Sequence, residues 1–299
     1  MANTRFGPDF ISIGMPSSGT RWLYDNLQAH KDVHMPYIKE LHFLDRGIRE
    51  HTVKNRTREA NQQDRDAAQI DPRDRAFLDR YLHGEVVPEL RSAEQEYLKH
   101  SKEGRIRESL FIPQEHHFEF YDSLFRCYFP KKTGDITPGY FRLPEKTISA
   151  FHNRYPFAKY LLIIRNPVLR LVSKLNKRVH KGVLPVEDAK RRILNPMGDS
   201  NRDLSRTIEK WMGIVGRDAV LTITLEAVAS DPIPELQKIF SFLDLSADAS
   251  EISEDLKGNR KQDRIPKLLS DLDTNNLREW FAEEIERCQA LVGGATLEW

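Results

Sequence analysis

Tyr160–Leu161–Leu162–Ile163–Ile164 is the longest apolar stretch in the chain, and Arg165–Asn166–Pro167 stops it abruptly. An unbroken run of this length suits a strand buried on both faces, the state of a parallel strand flanked by helices. Proline is well placed to open the helix that follows, predicted from Pro167 to about Lys181. The same grammar occurs near the N-terminus. Asp9 to Gly14 reads as a short buried strand, 15–19 as a turn, and Thr20 to Leu27 as a helix with Leu23 and Leu27 at helical spacing. Val33 to Met35 and Val220 to Thr224 are further strand candidates. Helices are expected near 203–215, 232–243 and 276–291, and another after Pro144. Strands alternating with helices imply an α/β fold around a mainly parallel sheet. Gly134–Asp135–Ile136–Thr137–Pro138 reads as a break.

A soluble single domain over 1–299 is the expectation. Residues 46–110 are dense in alternating charge and poor in aromatics. They read as short exposed helices near 72–82 and 93–102, part of a helical insertion at about 46–130. It is either a solvated cap or a lid over an acceptor. Lys plus Arg number 46 and Asp plus Glu 45, a formal charge of +1. That balance argues against nucleic acid as a partner. Cys127 and Cys288 are the only cysteines, which excludes a disulfide framework and a cysteine-rich metal site. His116 and His117 are adjacent rather than spaced as ligands on one helix face, so no metal is expected. No stretch reaches the ~20 apolar residues of a membrane span, and Met1 to Gly14 lacks the apolar core of a signal peptide. A cytoplasmic location is the expectation.

Two places carry chemistry. A glycine-bounded turn ahead of a helix exposes free N–H groups and a positive dipole end, which together attract an anion. Gly14–Met15–Pro16–Ser17–Ser18–Gly19 fills the first six places of the Walker phosphate loop, but Thr20–Arg21 follows instead of Lys and a hydroxyl residue. The lysine for terminal phosphates and the Mg²⁺ hydroxyl are both missing, which disfavours kinase or ATPase chemistry. Anion binding by the backbone, Ser18, Thr20 and Arg21 remains. The second place is Arg165 at a strand's carboxyl end, with Ser173 on the next helix; open α/β sheets bind ligands at such ends. Arg165 reads either as a phosphate fork or as half of a structural ion pair. Arg170, Lys174, Lys177, Arg178 and Lys181 read as a solvated basic face.

Together these pieces resemble the sulfotransferases that use 3′-phosphoadenosine 5′-phosphosulfate (PAPS). Pro16 to Leu23 is similar to their 5′-phosphosulfate loop, and Leu162 to Ser173 to their 3′-phosphate motif. Lys39–Glu40–Leu41–His42–Phe43–Leu44–Asp45 is similar to a stretch of the heparan-sulfate-type branch, and Gly134 to Phe141 resembles another family segment. Lys257–Gly258–Asn259–Arg260–Lys261 falls where the family closes a basic loop over the nucleotide. The order of five landmarks across about 10–262 is more specific than any one of them. Ser17 and Ile136 stand where the family carries lysines.

The resemblance implies a three-layer, P-loop-like α/β fold. It implies sulfuryl transfer from PAPS, releasing adenosine 3′,5′-bisphosphate (PAP), without a metal. The acceptor would be a hydroxyl, or less readily an amine, on a carbohydrate, lipid or small molecule. It assigns Glu40 as general base, with Lys39 beside it and His42 as the reserve base if 39–43 is extended. The alternative for Glu40 is a surface carboxylate paired with Lys39 or Arg21. Ser17, Ser18, Gly19, Thr20, Arg21, Arg165, Ser173, Asn259, Arg260 and Lys261 fall to the donor, and Trp22 either stacks on adenine or fills the core. Asp45, Thr137 and Tyr140 fall to the acceptor side, with packing the stronger reading of Tyr140. Arg21, Lys39 or a lysine of the insertion is expected to replace the missing loop charge. Two other readings stay open: a nucleotide-binding protein with impaired catalysis, and a P-loop small-molecule kinase or NTPase.

Overall fold

The computed structural model describes residues 7–35, 40–41, 43–46, 118, 121–122, 125, 130–196, 203–246, 271–294, 296 and 299. Lys39, His42, nearly all of the expected insertion and the loop at Asn259–Lys261 lie outside the described residues. Five strands, β1 (Phe10–Ser12), β2 (Val33–His34), β3 (Lys132–Ile136), β4 (Lys159–Ile164) and β5 (Val220–Thr224), form a mainly parallel sheet in the order β2-β3-β1-β4-β5. Helices accompany them, as the alternating pattern predicts. The chain divides into two compact units, 1–13 with 30–160 and 14–29 with 161–299.

In the first unit, β3 pairs in parallel with β1 and with β2, and Phe10 faces Gly134 in the register. The break expected at Gly134–Ile136 is therefore a strand. Its glycine is a packing requirement rather than a turn signal: a Cβ there would lie 2.1 Å from the Phe10 ring. Asp135, almost fully buried, is tolerated because three hydroxyls donate to its carboxylate: Tyr121 (2.9 Å), Tyr140 (2.6 Å) and Thr137 (2.7 Å). Thr137 precedes a 3₁₀ turn, Pro138–Arg142, and helix α3 (Glu145–Arg154) follows it. Burial, reinforced by the Asp135 charge, pushes the phenols of Tyr121 and Tyr140 well above their ordinary value, so they stay protonated donors.

Asp135→Ala would strand three buried hydroxyls without an acceptor. An unsatisfied buried group costs about 1–3 kcal/mol, so a loss of roughly 3 kcal/mol or more is expected. Urea unfolding measures it; a midpoint equal to the parent's would mean the hydroxyls find other acceptors.

In the second unit, α1 (Thr20–Ala29) follows the loop after β1, and α4 (Pro167–His180) follows β4. Helix α5 (Val186–Leu194) was not signalled by the sequence pattern. Val168, Leu171 and Leu175 of α4 pack in one cluster with Ala189 and Ile193 of α5 and with Leu277, Phe281 and Ile285 of α9 (Asp271–Val292). These α4 positions recur every three to four residues and so mark one face of the helix. Helix α6 (Leu204–Val215) starts against a buried carboxylate of α9: Glu284 accepts the Ser205 N–H at 2.6 Å and the Ser205 hydroxyl at 3.1 Å. Helices α7 (Leu225–Ser230) and α8 (Pro232–Phe242) follow β5.

Candidate active site

The glycine-bounded loop lies in the second unit, and its shape follows from its two end glycines. A Cβ on Gly14 would come within 2.8 Å of the Ile163 backbone nitrogen, so loop and strand approach more closely than any side chain permits. Met15 N–H donates to the Ile163 carbonyl at 3.3 Å. Gly19 has φ +88°, and a Cβ there would meet Leu225 Cδ1 at 2.7 Å. Between them Ser17 adopts φ +70°, a strained conformation for a residue with a side chain. Ser18 is fully buried, and its hydroxyl has no hydrogen-bond partner. Thr20 then opens α1, whose first-turn N–H groups lack partners within the helix.

The Arg165–Asn166–Pro167 sequence is a strand end and a helix start in three residues. Asn166 caps α4, its side-chain oxygen accepting from Val168 N–H (3.0 Å) and Leu169 N–H (3.4 Å), and Pro167 takes the first helical position. Arg165 is only 6% exposed. One of its terminal nitrogens donates to the Ser17 carbonyl at 3.4 Å. Its Nε is 3.9 Å from Glu226 Oε1 of α7, too long for a hydrogen bond. The structural ion pair considered for Arg165 is therefore present but loose. Burial lowers the Arg165 pKa, while Glu226 opposes the shift. Burial likewise raises the Glu226 carboxyl, against N–H groups and the Arg165 charge.

The face of α4 opposite its apolar stripe is not simply solvated. Arg170 is 4% exposed, and its Nε donates to the Pro16 carbonyl at 3.2 Å. Lys177 Nζ donates to Ser17 Oγ at 3.2 Å. Ser173, half-buried, lies between them on the same stripe. Three cationic side chains thus meet two consecutive loop residues. Arg21, by contrast, pairs along its own helix with Asp25 at 3.4 Å, both side chains half exposed. Trp22 is 8% exposed, and its indole nitrogen has no partner.

The first unit holds the acceptor-side candidates. Glu40 is half-buried with φ +69°, so the extended course that would place Glu40 and His42 on one face is not met at Glu40. Phe43 opens a single helical turn, α2 (Phe43–Arg46). Its ring stacks on Tyr121 at 4.2 Å, and Leu44 N–H donates to the Tyr140 hydroxyl at 3.4 Å. The buried Asp135 network thereby pins the segment that follows Glu40. Asp45 is half-buried; its charge adds to the rise of the Tyr140 pKa. Tyr140 and Thr137 are fully buried.

A family model described as the sulfotransferase family matches residues 8–249, most of the chain. The chain belongs to the sulfotransferase family. Its coarse activity is therefore sulfuryl transfer. Among solved structures, the fold of this sulfotransferase is similar to that of a sulfotransferase from Alicyclobacillus acidocaldarius, with TM-score 0.53, 18% identity, and 95% of each chain covered. It is also similar to the sulfotransferase domain of the Synechococcus PCC 7002 olefin synthase, with TM-score 0.50, 20% identity, and 94% and 97% covered. The matched span includes Ser17–Trp22, Glu40, Arg165 and Ser173, and ends before Asn259. Among the described residues, no group of three or more His, Cys, Asp or Glu side chains is placed to hold a metal ion. No described helix is long and apolar enough to cross a membrane.

Proposed function

We propose that this sulfotransferase moves a sulfuryl group from PAPS to a hydroxyl of a carbohydrate, lipid or small molecule. One observation carries the donor assignment. A loop bounded by two obligatory glycines holds a fully buried, unpartnered Ser18 hydroxyl, and the nearly buried Arg165 reaches it at the end of β4. Orphaned buried donors of this kind are costly unless a ligand uses them, and an anion at a helix N-terminus does so.

The residues fit a donor with two anionic ends. The N–H groups of 17–20 and Ser18 take the 5′ end, and Arg165 with Ser173 takes the 3′-phosphate and so favours PAPS over ATP. Trp22 fills the core rather than stacking on adenine. Asn259, Arg260 and Lys261 close over the nucleotide, as the resemblance implies. Glu40 removes the acceptor's proton, with Lys39 beside it and His42 in reserve. Its left-handed backbone fits this role, because such strain collects at functional positions. Asp45 contacts the acceptor. Thr137 and Tyr140 act on that side through the Asp135 network. The loop N–H groups stabilise charge that spreads during in-line transfer.

Calorimetric titration with PAP, followed by incubation with labelled PAPS and a cell extract, tests the proposal. Saturable PAP binding and a product heavier by one SO₃ are expected. Binding of ATP–Mg²⁺ in place of PAP overturns the donor assignment. PAP binding with no sulfated product overturns the transfer.

A further inference from the structure

We propose that Lys177 binds the 5′ end of the donor, supplying from α4 the positive charge that the loop itself lacks. The inference rests on the donor reading above and concerns the same site. Residues 14–20 contain no lysine or arginine. Departure of the phosphate leaves negative charge on the oxygen that bridged it to sulfur. Arg165 and Arg170 do not meet that need as placed. Both are nearly buried, and each donates to a loop carbonyl, Ser17 or Pro16, so they hold the backbone. Arg21 turns along α1 to Asp25.

Lys177 is the exposed cation on this stripe of α4, and its ammonium rests on Ser17 Oγ at 3.2 Å. Ser17 is the loop residue with the strained φ of +70°, which sets the direction of its Cβ. A compact ammonium on a flexible four-carbon stem can shift between a serine hydroxyl and a phosphate oxygen that arrives beside it. The Arg165 and Arg170 guanidiniums are instead anchored on the Ser17 and Pro16 carbonyls. The helix register makes this possible. Arg170, Ser173 and Lys177 recur at three- and four-residue spacing, so they share one face of α4, from which Arg170 and Lys177 reach the loop.

The chemistry balances without another reactant. The acceptor oxygen forms a bond to sulfur while the bond from sulfur to the bridging oxygen breaks. The acceptor's proton passes to the base, and the departing phosphate keeps the electron pair. Lys177 remains protonated throughout and meets the charge on that phosphate.

The test compares adenosine 3′,5′-bisphosphate with adenosine 3′-monophosphate, which lacks the 5′ end. In calorimetry, Lys177→Ala and Lys177→Met should each weaken bisphosphate binding about tenfold and leave monophosphate binding within about twofold. Adding Ser17→Lys to either variant should restore most of the bisphosphate affinity, because the charge returns from the loop side. Transfer from labelled PAPS should fall and recover in step. Unchanged bisphosphate affinity in both Lys177 variants overturns the inference while leaving the donor reading intact. Equal weakening of both nucleotides also overturns it, since that is the mark of a purely structural role. If the parent protein binds neither nucleotide, the donor reading itself fails and takes this inference with it.

Discussion

Replacing Glu40 with Gln should leave PAP binding intact and lower turnover roughly 10²–10⁴-fold, the range for loss of a positioned general base. The substitution keeps shape and length, so the left-handed backbone at φ +69° is no more strained than before. Leu41 and Phe43 remain buried, and Leu44 keeps its hydrogen bond to Tyr140. A drop in rate would therefore report lost basicity rather than a displaced segment. Single-turnover measurement with saturating PAPS separates the chemical step from donor binding. Wild-type rates would place the base elsewhere, and His42→Ala is then the deciding variant.

Arg165→Ala should weaken PAP binding by about 1.5–3 kcal/mol, the worth of a hydrogen bond to a charged group. Two effects act in the same direction. The variant loses a cation at the strand end, and it leaves Glu226 without its neighbouring countercharge. Burial already favours protonation of Glu226, so part of that second effect would be relieved by proton uptake. Calorimetry across neutral pH would show both parts, with thermal melting as the control for folding. An unaltered dissociation constant in a folded variant would remove Arg165 from the donor site.

How much of this was legible from residues alone depended on whether the deciding physics was local. The strand at Tyr160–Ile164 and the helix after Pro167 were readable because the apolar run, the capping Asn166 and the N1 proline act within a few residues. The glycine-bounded loop was readable for the same reason. β3 was not, because Gly134 and Asp135 are poor strand residues by propensity. What makes them fit is distant in sequence: the Phe10 ring over one, and the Tyr121 hydroxyl on the other. Arg170 departs from the solvated basic face expected of α4 for a related reason. A pattern of Arg and Lys along a helix is usually solvated, and only the register of α4 against the loop shows that Arg170 is buried on the Pro16 carbonyl. The left-handed turn at Glu40 carries no signal in residue type, since glycine, not glutamate, is what such a backbone normally selects.

Helix α4 is shared property. Its inner stripe, Val168, Leu171 and Leu175, is mortared into α5 and α9, and its outer stripe grips the loop. A rigid rod cannot roll on one side only. Substitutions that repack α9 will rotate the outer stripe by the same angle, so drift in a remote helix will shift Arg170 and Lys177 against the loop without replacing either.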